Sequence, residues 1–462
     1  MPSKLLPFTA CLLMALGACG DRDETSSKDN DAEGNQGGRG GRGVIDLGEL
    51  TDSGARDDGG GGMGGDGGGA SPQAGSGGSS LTDAGPFDPD GGAVSSPDAD
   101  VPVEEAPAPA VPADPGTRGP WPVGVRTVEV SLGAGSAPAE IWYPAKLGSE
   151  AGHDAFVYDY IRWLPPEAQE DVPAADKPVP VACDCYRDLP VATSHGPFPA
   201  VVYVHNLGAA GVSSIGIVTH WASRGFIVVA LDHPKIHLQD VLAYASIGWC
   251  TASGVTEDAN RSRDVQAELA LLRAPTGDFA FLEGAVDATR MAVVGHGEGA
   301  TFAVKAAGES GVRLIMQLNA SLAVTPAGDL RALAFITGSQ DGTSGGRPSA
   351  VASRFAAAPL PALYANATGA GHLSTTELCN AKSSAGRDGM QICSRYGVCD
   401  IDYTLFSLAW DCDSRYLDQP TANERFSTIT TAALEQFLNE QDRSAAIERF
   451  DADWGEARTS TD

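Results

Sequence analysis

Four short stretches of the chain carry residue types that do chemistry together. They are His205-Asn206-Leu207-Gly208, Gly295-His296-Gly297-Glu298-Gly299, Ser339-Gln340-Asp341 and Ala370-Gly371-His372-Leu373. A histidine backed by a carboxylate is the general-base half of nucleophilic acyl transfer, and backbone N–H groups at a glycine turn can hold a developing oxyanion. In this order the stretches would supply an oxyanion loop, a nucleophile turn, an acid and a base. One atom is missing. A G-x-S-x-G turn presents a serine hydroxyl at its third position, and this chain has Gly297 there. Glycine adopts strained turn dihedrals without a Cβ penalty, so the turn itself tolerates the replacement.

Each stretch follows an apolar run of strand length. The runs span residues 199–204, 290–294, 333–336 and 363–365, with further strands expected at 226–231 and 314–318. Helical patterns fall between them: one ending near Arg224, one over 261–272, one from the glycine turn to about Ala307, and a closing one over 423–440 with Thr421 or Asn423 near its cap. Strands alternating with helices predict an α/β fold, a mostly parallel sheet covered on both faces. Residues 123–132 and 139–143 should open it as an antiparallel pair. Ligands of such sheets bind beyond the carboxyl ends of the strands, where all four stretches lie.

The segments "GPWPVGVRTVEV", "AEIWYPA", "FPAVVYVHNLGAAGVSSIGIVTHWASRGFIVVALDHP" and "VDATRMAVVGHGEGATFA" carry a resemblance. The chain resembles the α/β-hydrolase superfamily, and within it the bacterial relatives of platelet-activating-factor acetylhydrolases, the dienelactone-hydrolase-like group. Polyester hydrolases and cutinases are more distant kin. The match covers most of residues 119–373, includes Asp287 ahead of Thr289-Arg290, and is weak over 148–196 and 374–420. It implies an α/β-hydrolase fold, with Leu207 and Glu298 giving the oxyanion-hole N–H groups, His372 as base and Asp341 orienting it. Gly297 stands at the nucleophile position. Asn206 is a second departure, since the family usually has Gly there; Asn tolerates left-handed backbone, which would preserve the loop.

Composition divides the 462 residues. Residues 1–19 read as a lipoprotein signal: Lys4, an apolar stretch too short to span a bilayer, then Leu16-Gly17-Ala18-Cys19, which resembles a lipobox with Cys19 as the lipidated residue. Residues 20–117 are rich in Gly, Asp, Ser and Pro, and those from Asp21 to Thr117 hold 20 Asp and Glu against 5 Lys and Arg, −15 of the chain's −29. Such a segment buries too little apolar surface to offset its ordering entropy and is expected to be a disordered linker, reaching roughly 50–60 Å. Residues 118–462 form the folded domain, with a Cys-rich insertion at about 374–420. The expected setting is the bacterial cell envelope, held to the membrane by the lipid. No basic patch points to nucleic acid. "GGMGGDGGG" matches the first six positions of a calcium-binding nonapeptide repeat, but it has Gly at the apolar position and a single copy has no neighbour to stack on.

Seven cysteines remain in the domain, four of them between Cys379 and Cys412, where up to two disulfides are expected. Cys183-Asp184-Cys185 reads as a redox pair or, preferably, as two disulfide halves with different partners. No metal or other cofactor is expected, because ligand spacing for zinc is lacking. His205 is expected to be a structural loop residue, and His233 a solvated one. Two functional expectations stay open. One is a degenerate hydrolase that binds a small ester or lipid-like ligand. The other is an active ester hydrolase in which His372 and Asp341 activate water. A purely structural tethered protein is a third.

Overall fold

The computed structural model describes residues 107–133, 135–164, 166–241, 258–396 and 411–460. The signal segment with Cys19, nearly all of the linker, Cys250 and Cys399 lie outside them, as does the side chain of Cys393. The strands are β1 (Val123–Ser131), β2 (Ser136–Pro144), β3 (Val157–Tyr158), β4 (Val181–Ala182), β5 (Tyr186–Arg187), β6 (Phe198–Val204), β7 (Ile227–Leu231), β8 (Val286–His296), β9 (Val312–Leu318), β10 (Ala332–Gly338), β11 (Ala362–Ala367) and β12 (Gly455–Ser460). The α-helices are α1 (Pro166–Asp171), α2 (Ile215–Ser223), α3 (Asp258–Arg273), α4 (Ala300–Ala303), α5 (Pro348–Ala356), α6 (Gly389–Tyr396), α7 (Gln419–Leu438) and α8 (Ser444–Asp453).

Ten strands make one sheet in the order β12-β11-β10-β9-β8-β6-β7-β2-β1-β5. The six from β11 to β7 are parallel, β1 and β2 add an antiparallel hairpin, and β12 closes the other edge antiparallel to β11. This is an α/β fold. The inner strands are apolar throughout because both faces are covered: every residue of β6, β7 and β10 is buried. Alternation sorts them by face. Val201, Tyr203, Val228, Ala292 and Val294 pack under α2 and α7, with Trp221, Phe426 and Ile429. Val202, Val204, Val229, Met291 and Val293 pack on the opposite side against Leu269, Phe302 and Val351 of α3, α4 and α5.

The C-terminal part departs from the sequence expectation. α7 does not close the fold, since α8 and β12 follow it. Its cap is Asp418, whose carboxylate accepts the Thr421 N–H, with Pro420 in the first turn where a missing N–H is harmless. The helix after Gly299 is also shorter than expected, a single α-turn between 3₁₀ turns.

Cys183 and Cys185 are bonded to each other, not to different partners. Side chains two apart in extended backbone share a side, and a bend at Asp184 brings the Cα atoms to 5.0 Å, within disulfide range. Cys379 pairs with Cys412. Buried Asp176 receives Arg387 and Tyr396, tying together the two segments where the resemblance is weak. Among the described residues no helix is long and apolar enough to cross a membrane.

Candidate functional site

The turns after four parallel strands, β6, β8, β10 and β11, within five consecutive strands of the sheet, bring the predicted residues to one place. β8 ends in His296, and a 3₁₀ turn, Gly297–Gly299, leads into α4. The turn is tight enough that two of its glycines are obligatory. A Cβ on Gly299 would run into the Val204 carbonyl of β6, and one on Gly295 would lie 2.5 Å from the Ala300 backbone N. Gly297 itself has φ +53°, the left-handed region.

His372 opens the turn after β11 and is 5% exposed. Its Nδ1 lies 2.9 Å from Asp341 Oδ2, so the imidazole and the carboxylate are brought together. Asp341 is saturated. Its Oδ1 accepts the Thr343 N–H and hydroxyl at 2.8 and 2.7 Å. Its Oδ2 also accepts Asn319 Nδ2 at 2.8 Å. Asn319 stands just after β9 with φ +55°, a conformation Asn tolerates better than most residues. Burial pushes Asp341 up, but His372 and these hydrogen bonds outweigh it and hold the carboxyl below its ordinary value. For His372, burial opposes the charge, yet the Asp341 carboxylate wins and its pKa is raised.

The other ring nitrogen has a partner the sequence did not suggest. Asn206 Nδ2 lies 2.9 Å from His372 Nε2. The same side chain reaches the glycine turn, where the Glu298 N–H donates to Asn206 Oδ1 at 2.9 Å. A backbone N–H can only donate, so the atom facing it is the amide oxygen, and the amide nitrogen faces His372. Nε2 therefore accepts, and the Nδ1 proton points to Asp341. A Cβ built on Gly297 would collide with Asn206 Oδ1 and lie 3.1 Å from His372 Nε2. A side chain at 297 would thus aim at the base, and the space it would need is filled by the Asn206 carboxamide.

Compared with protein-family models and with curated proteins, the chain matches none. The chemistry of the site rests on its own atoms.

Asn206 also corrects the expectation about the loop after β6. The left-handed residue there is Gly208, φ 72°, and Asn206 is outside that region. Its contribution is its side chain. His205 is buried; its Nδ1 meets the Asn206 carbonyl at 2.8 Å and its Nε2 accepts the His233 N–H at 3.1 Å, which pins the loop. His233 is fully buried, not solvated: its ring lies against Phe302 and 3.6 Å from Glu268. Burial lowers its pKa to about 3. Leu207 is partly buried against the α3-side core. The Glu298 carboxylate turns along α4, 3.5 Å from Thr301 Oγ1.

Two further groups pack on His372. His296 is buried, its ring centroid 4.9 Å from that of His372, and its Nε2 meets the His372 carbonyl at 3.0 Å. Burial drives its pKa to about 3, so it stays neutral. Asp411 accepts the Leu373 N–H with both oxygens, at 3.0 and 3.1 Å, and burial raises its pKa to about 6. The Cys379–Cys412 bond lies beside the Asp411 carboxylate. Asn206's side-chain role, Asn319, Thr343 and Asp411 escaped the sequence reading. The available signal was that both unusual positions, 206 and 297, follow adjacent strands.

Proposed function

We propose that this protein is an envelope lipoprotein with an α/β-hydrolase-like domain of the acetylhydrolase and dienelactone-hydrolase-like group, whose site has lost covalent acyl transfer. It is a degenerate hydrolase, tethered through Cys19 and kept for binding. The observation that carries this reading is the Asn206 carboxamide, which spans from the Glu298 N–H to His372 Nε2 beside Gly297.

Covalent acyl transfer needs an oxygen or sulfur nucleophile whose proton the base removes. Gly297 has none. Water activation needs a free lone pair on His372 Nε2 and room for water next to it. Asn206 Nδ2 uses the lone pair, and the carboxamide fills the room. It also occupies the Glu298 N–H that would stabilise an oxyanion. The acid and base are assembled, but every atom they would act through has a partner.

Hydrolysis of p-nitrophenyl butyrate by the purified full-length chain tests this. We expect no rate above background from the unmodified protein, nor from Gly297→Ser alone, because the new Cβ meets Asn206. The pair Asn206→Gly with Gly297→Ser should regain esterase activity, by at least about 10²-fold over either single variant, and should react with a fluorophosphonate. Hydrolysis by the unmodified chain that disappears in His372→Ala would overturn the proposal in favour of water activation.

A further inference from the structure

We propose that the slot filled by Asn206 is a proton-gated carboxylate site: protonation of His372 at Nε2 expels the carboxamide, and the imidazolium and the Glu298 N–H then hold a carboxylate in its place. This rests on the reading that Gly297 leaves the site without a nucleophile.

Hydrogen-bond parity carries the inference. The slot presents two contact points, the Glu298 N–H and His372 Nε2, each 2.9 Å from one end of the planar Asn206 amide. With neutral His372, one point donates and the other accepts. A primary carboxamide matches that pattern in one orientation only, the one observed. Add a proton to Nε2 and both points donate. Asn206 Nδ2–H then faces N–H, and flipping the amide moves the same conflict to the Glu298 N–H. A carboxylate has the planar shape of the carboxamide with two acceptor ends, so it fits the protonated slot as the amide fits the neutral one. Charge assistance strengthens both of its hydrogen bonds.

The surroundings of His372 favour such a switch. After β10, Asp341 faces Nδ1 at 2.9 Å. Ahead of α7, Asp411 holds the adjacent Leu373 N–H. After β8 come neutral, buried His296 and the Glu298 carboxylate, which lies along α4 toward Thr301. After β6, behind Asn206, comes His205, whose pKa burial and the neighbouring His233 and His237 hold well below normal. Among the described residues of this set there is no cation. Asn206, Gly297 and Glu298 are each partly exposed, so the slot is reached from solvent on the Asn206 side.

The ligand class is a small monocarboxylate, and butyrate is the probe. By linkage, binding that takes up one proton tightens tenfold for each pH unit lowered, as long as free His372 is neutral and the acid is ionised. Calorimetry on the full-length chain between pH 8 and pH 5.5, in buffers of different ionisation enthalpy, should show that slope and uptake of about one proton at the alkaline end, both fading as pH falls through the raised pKa of His372. Asn206→Gly removes the internal competitor and should bind about tenfold more tightly where His372 is neutral, the gain vanishing where protonation has already expelled the carboxamide. Asn206→Asp builds the carboxylate in, so it should abolish butyrate binding and leave His372 doubly protonated at neutral pH by ¹⁵N NMR. His372→Gln should lose the pH slope. Butyrate affinity independent of pH, absence of butyrate binding to the unmodified chain, or unchanged binding to Asn206→Asp would each overturn the proposal. The ester assay on the same samples separates the two readings. An inactive chain that ignores butyrate sinks only the carboxylate site, whereas His372-dependent hydrolysis sinks the degenerate-hydrolase reading.

Discussion

The two sides of the His372 ring differ in how they are built. On the Nδ1 side, Asp341 sits in a socket of partners: Thr343 from its own loop, Asn319 from the end of β9, and Gly346, where a Cβ would strike its Oδ2. That is the support a working base requires. On the Nε2 side, position 297 offers no side chain and a carboxamide from the adjacent strand end fills the space. With glycine at 297 and nothing beside it, two polar groups would lack partners, Nε2 and the Glu298 N–H, at about 1–3 kcal/mol each if they were cut off from water. Asn206 satisfies both with one side chain. Positions 206 and 297 are therefore coupled. A Cβ at 297 excludes the Asn206 carboxamide, and the carboxamide gives the Gly297 turn a partner that a bare glycine lacks.

Breaking the Nδ1 side should have the larger effect. Asp341→Ala strands the Thr343 and Asn319 donors in a buried site and removes the counter-charge of His372. We expect a loss of about 3–5 kcal/mol in urea unfolding. The Nε2 side should be more forgiving. Gly297→Ala places a Cβ at φ +53° against Asn206 Oδ1, at a cost of about 1–3 kcal/mol. If the two positions are coupled, Asn206→Gly relieves much of that cost, and a double-mutant cycle should return an interaction of about 1–2 kcal/mol. A cycle that closes near zero would mean Asn206 is a bystander.

How much of this was legible follows the same division. The parallel strands were readable because burial on both faces writes uninterrupted runs such as "AVVYV", Ala200 to Val204, into the chain. The opening hairpin was readable from its alternation. Strand β12 was not, because Gly455-Glu456-Ala457-Arg458-Thr459-Ser460 is an edge strand with only Ala457 buried. No run or strict alternation marks it. Asp341 and His372 were legible as residue types at strand ends. Asn206 was read as a backbone feature, because its side-chain partners come from positions 298 and 372, and reach across strands is a property of the folded sheet. Asp411 was invisible for the same reason: its tie to Leu373 crosses 38 positions of chain.

Acid should also expose the neutral rings around the site. His296 and His233 titrate at about 3 in the fold, and half-buried His220, whose Nε2 meets the Pro115 carbonyl of the entering chain, at about 4. Unfolded histidine titrates near 6.5. Between those values the unfolded chain binds more protons, so stability present above about pH 6.5 is lost as pH falls, by up to about 1.4 kcal/mol per pH unit for each ring. His372 has the opposite sign. Its raised pKa gives stability that is full below the unfolded value and is lost as pH rises through the folded one. His372→Gln should therefore flatten the alkaline side of the stability profile and leave the acid side steep, while His296→Gln should ease the acid side. Urea midpoints from pH 8 to pH 4.5 would show whether the two rings, 4.9 Å apart, respond oppositely.

The smallest net effect is expected from Asp411, which touches neither ring nitrogen. Its carboxyl titrates at about 6 in the fold because burial disfavours the charge, against about 3.9 when unfolded. The folded state therefore binds the extra proton, and stability falls as pH rises from about 4 to 6, then levels off. Asp411→Asn cannot ionise, so it removes that slope. At neutral pH it gains by not burying a charge and loses a charge-assisted bond from the Leu373 N–H. The two terms are similar in size, so the net change should stay within about 1 kcal/mol. His372 should titrate slightly lower in this variant, since the Asp411 charge helps to raise it. A large loss of stability at pH 7 would show instead that Asp411 anchors the Cys379–Cys412 segment under the site, and that the base side of His372 depends on the second insertion as much as on Asp341.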